Sequence, residues 1–310
     1  MPKVSVIIPA YNSMAFLPET LDSVLTQTFA DFEVLIVNDG STDQLVEWAS
    51  GLSDHRVRLI NQANQGCAIA RNTGILSSRG AYIAFLDADD IWEPTKLEKQ
   101  VAILESSPNI GLVNTWISNI DAQGDRVGKL SGSDAEGYVW ESVIEDNPIM
   151  CGSIPMIRRQ CFERVGLFDQ SLRSAEDWDM WIRIAEKYEF AVVKGPLVRY
   201  RVHAHSKSHN LQLHLQSRLK VIEKAFQKKV PNRAIQKDKV YGHVFLSVAY
   251  RALQKHDFET ALDLKKQALK YYPNLFYSKV FHRLGVILLL RRRLGDRRYE
   301  QLLKALRYAA

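Results

Sequence analysis

The chain lacks any long apolar run. Its longest purely aliphatic stretch, Val286 to Leu290, has five residues, against the roughly 20 needed to cross a bilayer as a helix. A membrane-spanning helix is therefore not expected. Cysteine is scarce: Cys67, Cys151 and Cys161 show no metal-ligand spacing, which excludes a cysteine-built zinc site and suits a reducing cytoplasm, where they are expected to be core thiols. No glycine-rich phosphate loop is present either. PAYN (Pro9–Asn12) stands after the first expected strand where a dinucleotide fold has G-x-G-x-x-G, and no Walker A loop occurs. The N-terminus, MPKVSVIIPAYN, opens directly into a strand without a signal-peptide layout. The expectation is a cytoplasmic protein.

At 310 residues, 46% of them hydrophobic, the chain has material for a full core and for one large domain or two. The net charge of +6 hides a division. Residues 1–200 carry 17 Lys+Arg and 28 Asp+Glu, a net of −11, and residues 201–310 carry 24 and 7, a net of +17. Such a split reads as two functional units, the second seeking an anionic surface.

In the acidic part, Lys3–Pro9 and Phe32–Val37 are continuous apolar runs of the kind that form strands buried on both faces of a parallel sheet. Val57–Ile60 and Tyr82–Leu86 add two more strands. Helical spacing (Phe16, Leu17, Leu21, Val24, Leu25; Leu45, Val46, Trp48; Ala68–Leu76) falls between them. Strand–helix alternation at this pace predicts a doubly wound, mostly parallel sheet. Ligands of such sheets sit outside the carboxyl ends of the strands, and here those ends carry Ala10 and Tyr11, then Asp39, then Asp87, Asp89 and Asp90. Three carboxylates at the end of a buried strand repel one another and resist desolvation. A divalent cation with hard oxygen ligands, Mg²⁺ or Mn²⁺, is the usual neutraliser, keeping waters and taking substrate phosphates as well. Asp90 is also placed to cap the helix beginning near Pro94.

The motifs VSVIIPAYN, VNDGSTD, NQGCAIARNTG and FLDADDIWEP, in that order, followed by SAEDWDMWIR (Ser174–Arg183) and YRVHAHSKS (from Tyr200), resemble glycosyltransferase family 2, with its GT-A fold. The resemblance covers residues 3–208. It implies a catalytic domain over 1–208, an α-helical extension over 209–310, and inverting transfer of a sugar from a nucleoside diphosphate to an acceptor hydroxyl. It further implies Asp89 as the direct metal ligand, Asp87 on the nucleotide ribose or the metal's water shell, Asp39 on the base, and Ala10 and Tyr11 lining the same slot. Arg71, on a small-residue helix, is expected to reach phosphate or base. Asp177 is the implied general base and Glu176 its acceptor-side neighbour. Trp178 is expected either to stack on the acceptor or to fill the core, and Trp181 to be core. His203 matches the family's late histidine, which completes a metal or diphosphate site and favours Mn²⁺ over Mg²⁺; its alternative is membership of a solvated set with His205 and His209.

The stretch from Gly111 to Ile157 is expected to line the acceptor site. From Leu211 the pattern is helical, and His256–Asn274 resembles half a tetratricopeptide repeat, a bland packing unit when single. From Arg291 on, seven basic and two acidic residues follow the apolar run, a layout suited to an anionic membrane face. No nucleic-acid recognition motif accompanies the charge. Expected partners are a nucleotide sugar, with uridine favoured over guanosine, and a glycan or lipid-linked acceptor. The competing readings are an inert scaffold acting through its helical tail, and a nucleotidyltransferase, whose basic phosphate loop PAYN does not supply.

Overall fold

The structure is a computed structural model, and it describes residues 1–202, 210–227 and 235–308. It divides into two compact units, Met1–Lys207 and Ser208–Ala310.

The first unit is built on one eight-stranded sheet in the order β3-β2-β1-β4-β7-β6-β8-β5. The strands are β1 (Val4–Ala10), β2 (Phe32–Asp39), β3 (Val57–Gln62), β4 (Tyr82–Phe85), β5 (Ile91–Trp92), β6 (Ile110–Ile120), β7 (Met156–Arg158) and β8 (Glu189–Arg201). The pairs β1–β2, β1–β4, β2–β3 and β6–β8 are parallel, while β7 and β5 run against their neighbours. The sheet is thus mostly parallel, as the alternation predicts. Every residue of β2 is buried, the signature of a strand covered on both faces.

Pro9 shows how the sheet opens for a ligand. The Ile7 carbonyl accepts from Leu86 N at 3.0 Å, so the odd-numbered backbone groups of β1 face β4. The β1–β4 pairing ends at Ile7↔Phe85. The N–H that Pro9 lacks would therefore have pointed beyond the end of β4, and its absence costs no ladder bond. Past this point β1 continues beside β2 alone, leaving a crevice at the carboxyl ends where the strand order reverses.

Helices α1 (Leu17–Leu25), α2 (Leu45–Ser50), α3 (Cys67–Ser77), α4 (Lys96–Ser106), α5 (Trp140–Glu145), α6 (Arg159–Val165) and α7 (Glu176–Ala185) complete the unit. The small residues of α3 allow close approach: a Cβ on Gly74 would meet Ile7 Cγ2 at 2.3 Å. That approach carries Arg71, one turn earlier, onto the carboxyl ends of the strands.

Two local expectations are corrected. Asp90 does not cap a helix; it is fully buried and accepts from Ser153 Oγ at 2.5 Å and from Arg201 N at 2.9 Å. The sequence reading places no strand at Gly111 to Ile120, the start of the stretch assigned to the acceptor site; it is interior strand β6, which pairs with β8 along its length.

The second unit contains α8 (Leu211–Gln227), α9 (Lys237–Gln254), α10 (Phe258–Tyr271), a short 3₁₀ turn at Pro273–Tyr277 and α11 (Lys279–Tyr308), which bends at Gly295. Helices α9 and α10 form a hairpin, closed where Asp257 Oδ1 accepts from Thr260 N at 3.1 Å as an N-cap. No helix among the described residues is long and apolar enough to cross a membrane.

Candidate active site

The turn after β4 presents the acidic cluster, and distant residues fix it from beneath. Ser153 Oγ accepts from Asp87 N at 3.0 Å while donating to Asp90 Oδ2. Arg201, 2% exposed, donates from Nε to the Asp89 carbonyl at 2.8 Å. Its Nη2 reaches Glu19 Oε2 at 2.7 Å and its Nη1 the carbonyls of Asp121 and Ala122 at 3.2 and 3.1 Å. One guanidinium therefore ties the turn to α1 and to the end of β6. Held in this way, Asp90 lies inside while Asp87 and Asp89 are half-buried at the crevice. Burial, then the charges of Asp89 and Asp87, push the Asp90 carboxyl well above the usual carboxylate range. Burial also raises the Tyr200 phenol, with Cys151 and the three aspartates adding to the effect, so Tyr200 faces the cluster as a neutral group.

Asp87 and Asp89 offer hard oxygens at the rim of an open crevice, a donor set that fits a divalent cation retaining water and binding phosphate. Among the described residues no group of three or more His, Cys, Asp or Glu is arranged to enclose a metal. His203, assigned to complete the site, lies outside the described residues.

Arg71 is where the structure departs furthest from the sequence reading. Its guanidinium is not presented to a phosphate or base. The residue is 4% exposed, with Nη2 on Asp87 Oδ1 at 2.8 Å and Nη1 on Glu176 Oε1 at 3.0 Å. Gly152 closes over it: a Cβ there would meet Nη2 at 2.5 Å. The physical reason is charge. Two half-buried carboxylates on separate elements need a cation between them, and the planar fork of arginine spans both. Burial opposes the charge on Arg71, but the acidic groups around it, the Cys67 thiol and the carboxyls of Asp87, Glu176 and Asp177, outweigh burial and hold its pKa above the ordinary value.

Glu176 and Asp177 open α7. The residue before them, Ala175, has φ 60° and ψ 20°, a left-handed conformation that costs an alanine about 1–2 kcal/mol. It turns the chain so that Glu176 reaches Arg71 while Asp177 Oδ1 accepts from Trp178 N at 2.7 Å. Burial first, then Glu176, pushes the Asp177 carboxyl up to about 6, against the downward pull of Arg71. A carboxylate with that proton affinity is matched to accepting a proton near neutral pH. Trp178 does not face an acceptor: it is 2% exposed and donates from Nε1 to the Val143 carbonyl of α5 at 2.6 Å. Trp181 is fully buried. Both rings belong to the packing of α7.

Asp39 and its neighbours form the other side of the crevice. Asp39 ends β2, is 4% exposed, and accepts from Gln62 Nε2 at 2.8 Å, Gln65 N at 2.9 Å and Gly66 N at 2.8 Å. It therefore fixes the loop that leads into α3 and hence the start of the helix bearing Arg71. Ala10 is buried and Tyr11 is 44% exposed at the end of β1. The loop beyond is pinned to the one after β2, with Asn12 N donating to Ser41 Oγ at 3.0 Å and Thr42 N to Asn12 Oδ1 at 2.8 Å.

The structure thus gathers Asp87, Arg71 and Glu176 into one ion-paired group, with Asp177 next to Glu176 at the start of α7, Asp89 on the same turn as Asp87 and Asp39 two strands away. Sequence reasoning missed Ser153 and the anchoring role of Arg201, and gave Gly152 only as part of the stretch expected to line the acceptor site, not as the cover over Arg71. Only Arg201 carried a signal, its place in the YRVH segment.

The family model described as glycosyl transferase family 2 matches residues 5–166. An uncharacterised glycosyltransferase of Rickettsia felis is 37% identical over 201 residues, which are 64% of this chain and 33% of that protein. One of Methanocaldococcus jannaschii is 30% identical over 212 residues, 65% of this chain and 71% of that protein. A chondroitin synthase of Escherichia coli is 29% identical over 237 residues, 74% of this chain and 33% of that protein. The first curated relatives are thus much longer, and the matched region spans only 33% of them. Among solved structures, S. aureus TarS 1-349 in complex with UDP-GlcNAc aligns with a TM-score of 0.63 at 17% identity, covering 96% of this chain and 92% of that one. The mannosyltransferase PcManGT of Pyrobaculum calidifontis, in complex with GDP-Man and Mn²⁺, aligns with a TM-score of 0.56 at 21% identity, covering 95% and 88%. At these identities the likeness is one of fold, the GT-A type.

Proposed function

The chain belongs to glycosyl transferase family 2, and from that premise we propose that it moves a sugar from a nucleoside diphosphate to an acceptor hydroxyl, with inversion at the anomeric carbon. The observation that carries this reading is the bridge Asp87–Arg71–Glu176, at 2.8 and 3.0 Å. It sets the acidic turn, where a donor diphosphate would lie, at a fixed position relative to the helix that begins with Glu176 and Asp177.

Asp177 is the general base in this reading, taking the proton from the acceptor hydroxyl as its oxygen attacks the anomeric carbon. Glu176, held by Arg71, positions the acceptor side. Asp39, Ala10 and Tyr11 receive the nucleoside, with Asp39 presenting the lone pair that its three protein donors leave over. Asp89 and Asp87 would hold Mn²⁺ or Mg²⁺, with His203 as a further ligand. A cation bound there neutralises charge on the departing diphosphate. The two solved structures hold UDP-GlcNAc and GDP-Man, so a nucleoside diphosphate sugar is their shared chemistry; we favour uridine, the base of the better-superposing complex. The acceptor we assign is a glycan or lipid-linked chain in polysaccharide, glycolipid or envelope-glycan synthesis, at or near an anionic membrane face that the basic helical unit would contact.

Calorimetric titration of the full chain with UDP and with GDP, with and without Mn²⁺, on wild type and Asp89→Ala, tests the reading. Binding of one nucleotide that requires the metal and is lost in the variant is the expected result. Binding of neither nucleotide under any condition would overturn it in favour of an inert scaffold.

A further inference from the structure

The outward face of α11 is built in a way that the packing of the helical unit does not explain. The run Val286–Leu290 is five apolar residues long, more than one turn of about 3.6 residues, so it cannot lie on one side of a helix. Leu284 and Leu288 are buried, and so is Phe281, whose ring lies 3.5 Å from the Lys265 ammonium. Val286 and Leu289 point the other way, 55% and 52% exposed. Val280 is 54% exposed, and the 3₁₀ turn just before the helix exposes Phe276 and Tyr277 by 52% and 84%.

The charges accompany this apolar face. From Lys279 to Leu294 the sequence has five Lys+Arg and no Asp or Glu. Lys279, Arg283 and Arg293 are exposed. At about 100° per residue, these three and Val286 fall within about 80° of one another around the axis. Val286 thus lies among these three cations and Leu289 about 40° beyond Arg293 on the same side, while Val280 and the exposed Arg292 lie outside this arc. This layout belongs to a helix lying in a bilayer interface, its apolar side chains at the acyl boundary and its arginines reaching lipid phosphates. Tyr277 and Phe276 at one end add the amphipathic and apolar rings common at that depth. A second copy of the chain is disfavoured as occupant, because two such faces carry the same sign. A nucleic acid would leave the central aliphatic residues with nothing to gain.

We propose that this face, the 3₁₀ turn together with α11 up to Arg293, docks peripherally on an anionic lipid bilayer. The proposal deepens the membrane-side acceptor reading given above; it uses none of the transfer chemistry.

The test is co-sedimentation of the full chain with vesicles of phosphatidylcholine alone and of phosphatidylcholine with phosphatidylglycerol, at low and high salt. Nucleotide titration without vesicles runs in parallel and reports the transfer reading separately. Partition should be more than about tenfold stronger on the anionic vesicles and weaken as salt screens the arginines. The exposed double substitution Val286→Ser/Leu289→Ser should lower it about tenfold with an unchanged melting curve, and Arg283→Glu/Arg293→Glu should abolish it. Equal partition on both vesicle types, wild-type partition of the double serine variant, or no vesicle binding by a chain that self-associates or captures an acidic protein would each overturn the proposal.

Discussion

Removal of the Arg71 guanidinium gives the most informative perturbation of the site. The side chain is 5% exposed, and its two carboxylate partners, Asp87 and Glu176, are 30% and 15% exposed. Deleting one member of a buried ion pair costs about 3–5 kcal/mol, because the remaining charge is left uncompensated. Here two carboxylates are left, but Asp87 can recruit water, so about 3 kcal/mol is expected for Arg71→Ala. Arg71→Lys keeps the charge but offers one compact ammonium in place of a fork, and should lose about half as much. Equilibrium urea unfolding read by tryptophan fluorescence isolates the relevant unit, since all six tryptophans lie between Trp48 and Trp181. A second readout separates positioning from bulk stability. Arg71 pulls the Asp177 carboxyl down, against burial and Glu176, which hold it at about 6. The base works deprotonated, so kcat/KM should show an acid limb, falling below about pH 6 in the wild type as Asp177 takes up its proton. In Arg71→Ala that limb should move to higher pH, and in Arg71→Lys it should stay close to the wild-type position. A loss under about 1 kcal/mol for the alanine variant, or an acid limb at the same pH in both variants, would refute the bridge as the organiser of the site.

Two further predictions follow from the start of α7. Asp177 titrates near 3.8 when unfolded and at about 6 in the folded chain, so the folded state binds its proton more tightly and keeps the charge at a cost above pH 6. Asp177→Asn should therefore stabilise the protein at pH 7–8 by on the order of 2 kcal/mol, with the gain fading as pH falls through 6 towards 3.8, while kcat drops by about 10²–10⁴; urea unfolding across pH and initial rates check both. Ala175→Gly should raise stability by up to about 1 kcal/mol by relieving the left-handed backbone, yet lower kcat several-fold because the turn no longer fixes Glu176 and Asp177; thermal melting and kcat measured on one preparation decide it.

The parts of the fold legible in the sequence are those fixed by local composition. β1, β2 and β4 are continuous β-branched or aromatic runs, and the order of acidic residues at their carboxyl ends follows once the sheet is known to be parallel. Strand β6 escaped because its sequence, IGLVNTWISNI, mixes Asn, Thr and Ser into an interior position, and the structure absorbs them through contacts such as Thr115 Oγ1 on the Gly195 carbonyl at 2.7 Å. The partners of the site residues were illegible for the same reason throughout. Asp90 looked like a cap because Pro94 is near it in sequence, yet its bonds go to Ser153 and Arg201, 63 and 111 residues away. Arg71 looked free to meet a ligand, yet its carboxylates lie 16 and 105 residues away. Residue type and spacing can nominate a charged group; whether another part of the chain has already claimed it is decided by the tertiary structure.

Departures from local preference concentrate around the crevice, but strain alone does not mark a site. His256, at φ 61°, is as unusual as Ala175 at φ 60°, and it merely closes the α9–α10 hairpin. What distinguishes Ala175 is that the two residues it aims are carboxylates, one paired to a buried arginine and the other with raised proton affinity. The same reasoning applies beneath the acidic turn. Lys96 is fully buried, with Nζ 3.8 Å from the Trp92 ring and 2.8 Å from Gln100 Oε1, and burial holds its pKa well below the ordinary lysine value. Trp92 in turn donates to the Ser153 carbonyl at 3.0 Å, and Ser153 carries both Asp87 N and Asp90. A chain free to maximise stability would replace such buried ionisable groups with apolar side chains of similar volume. Here they converge on one four-residue turn, so the stability forgone is invested in holding Asp87 and Asp89 at the rim.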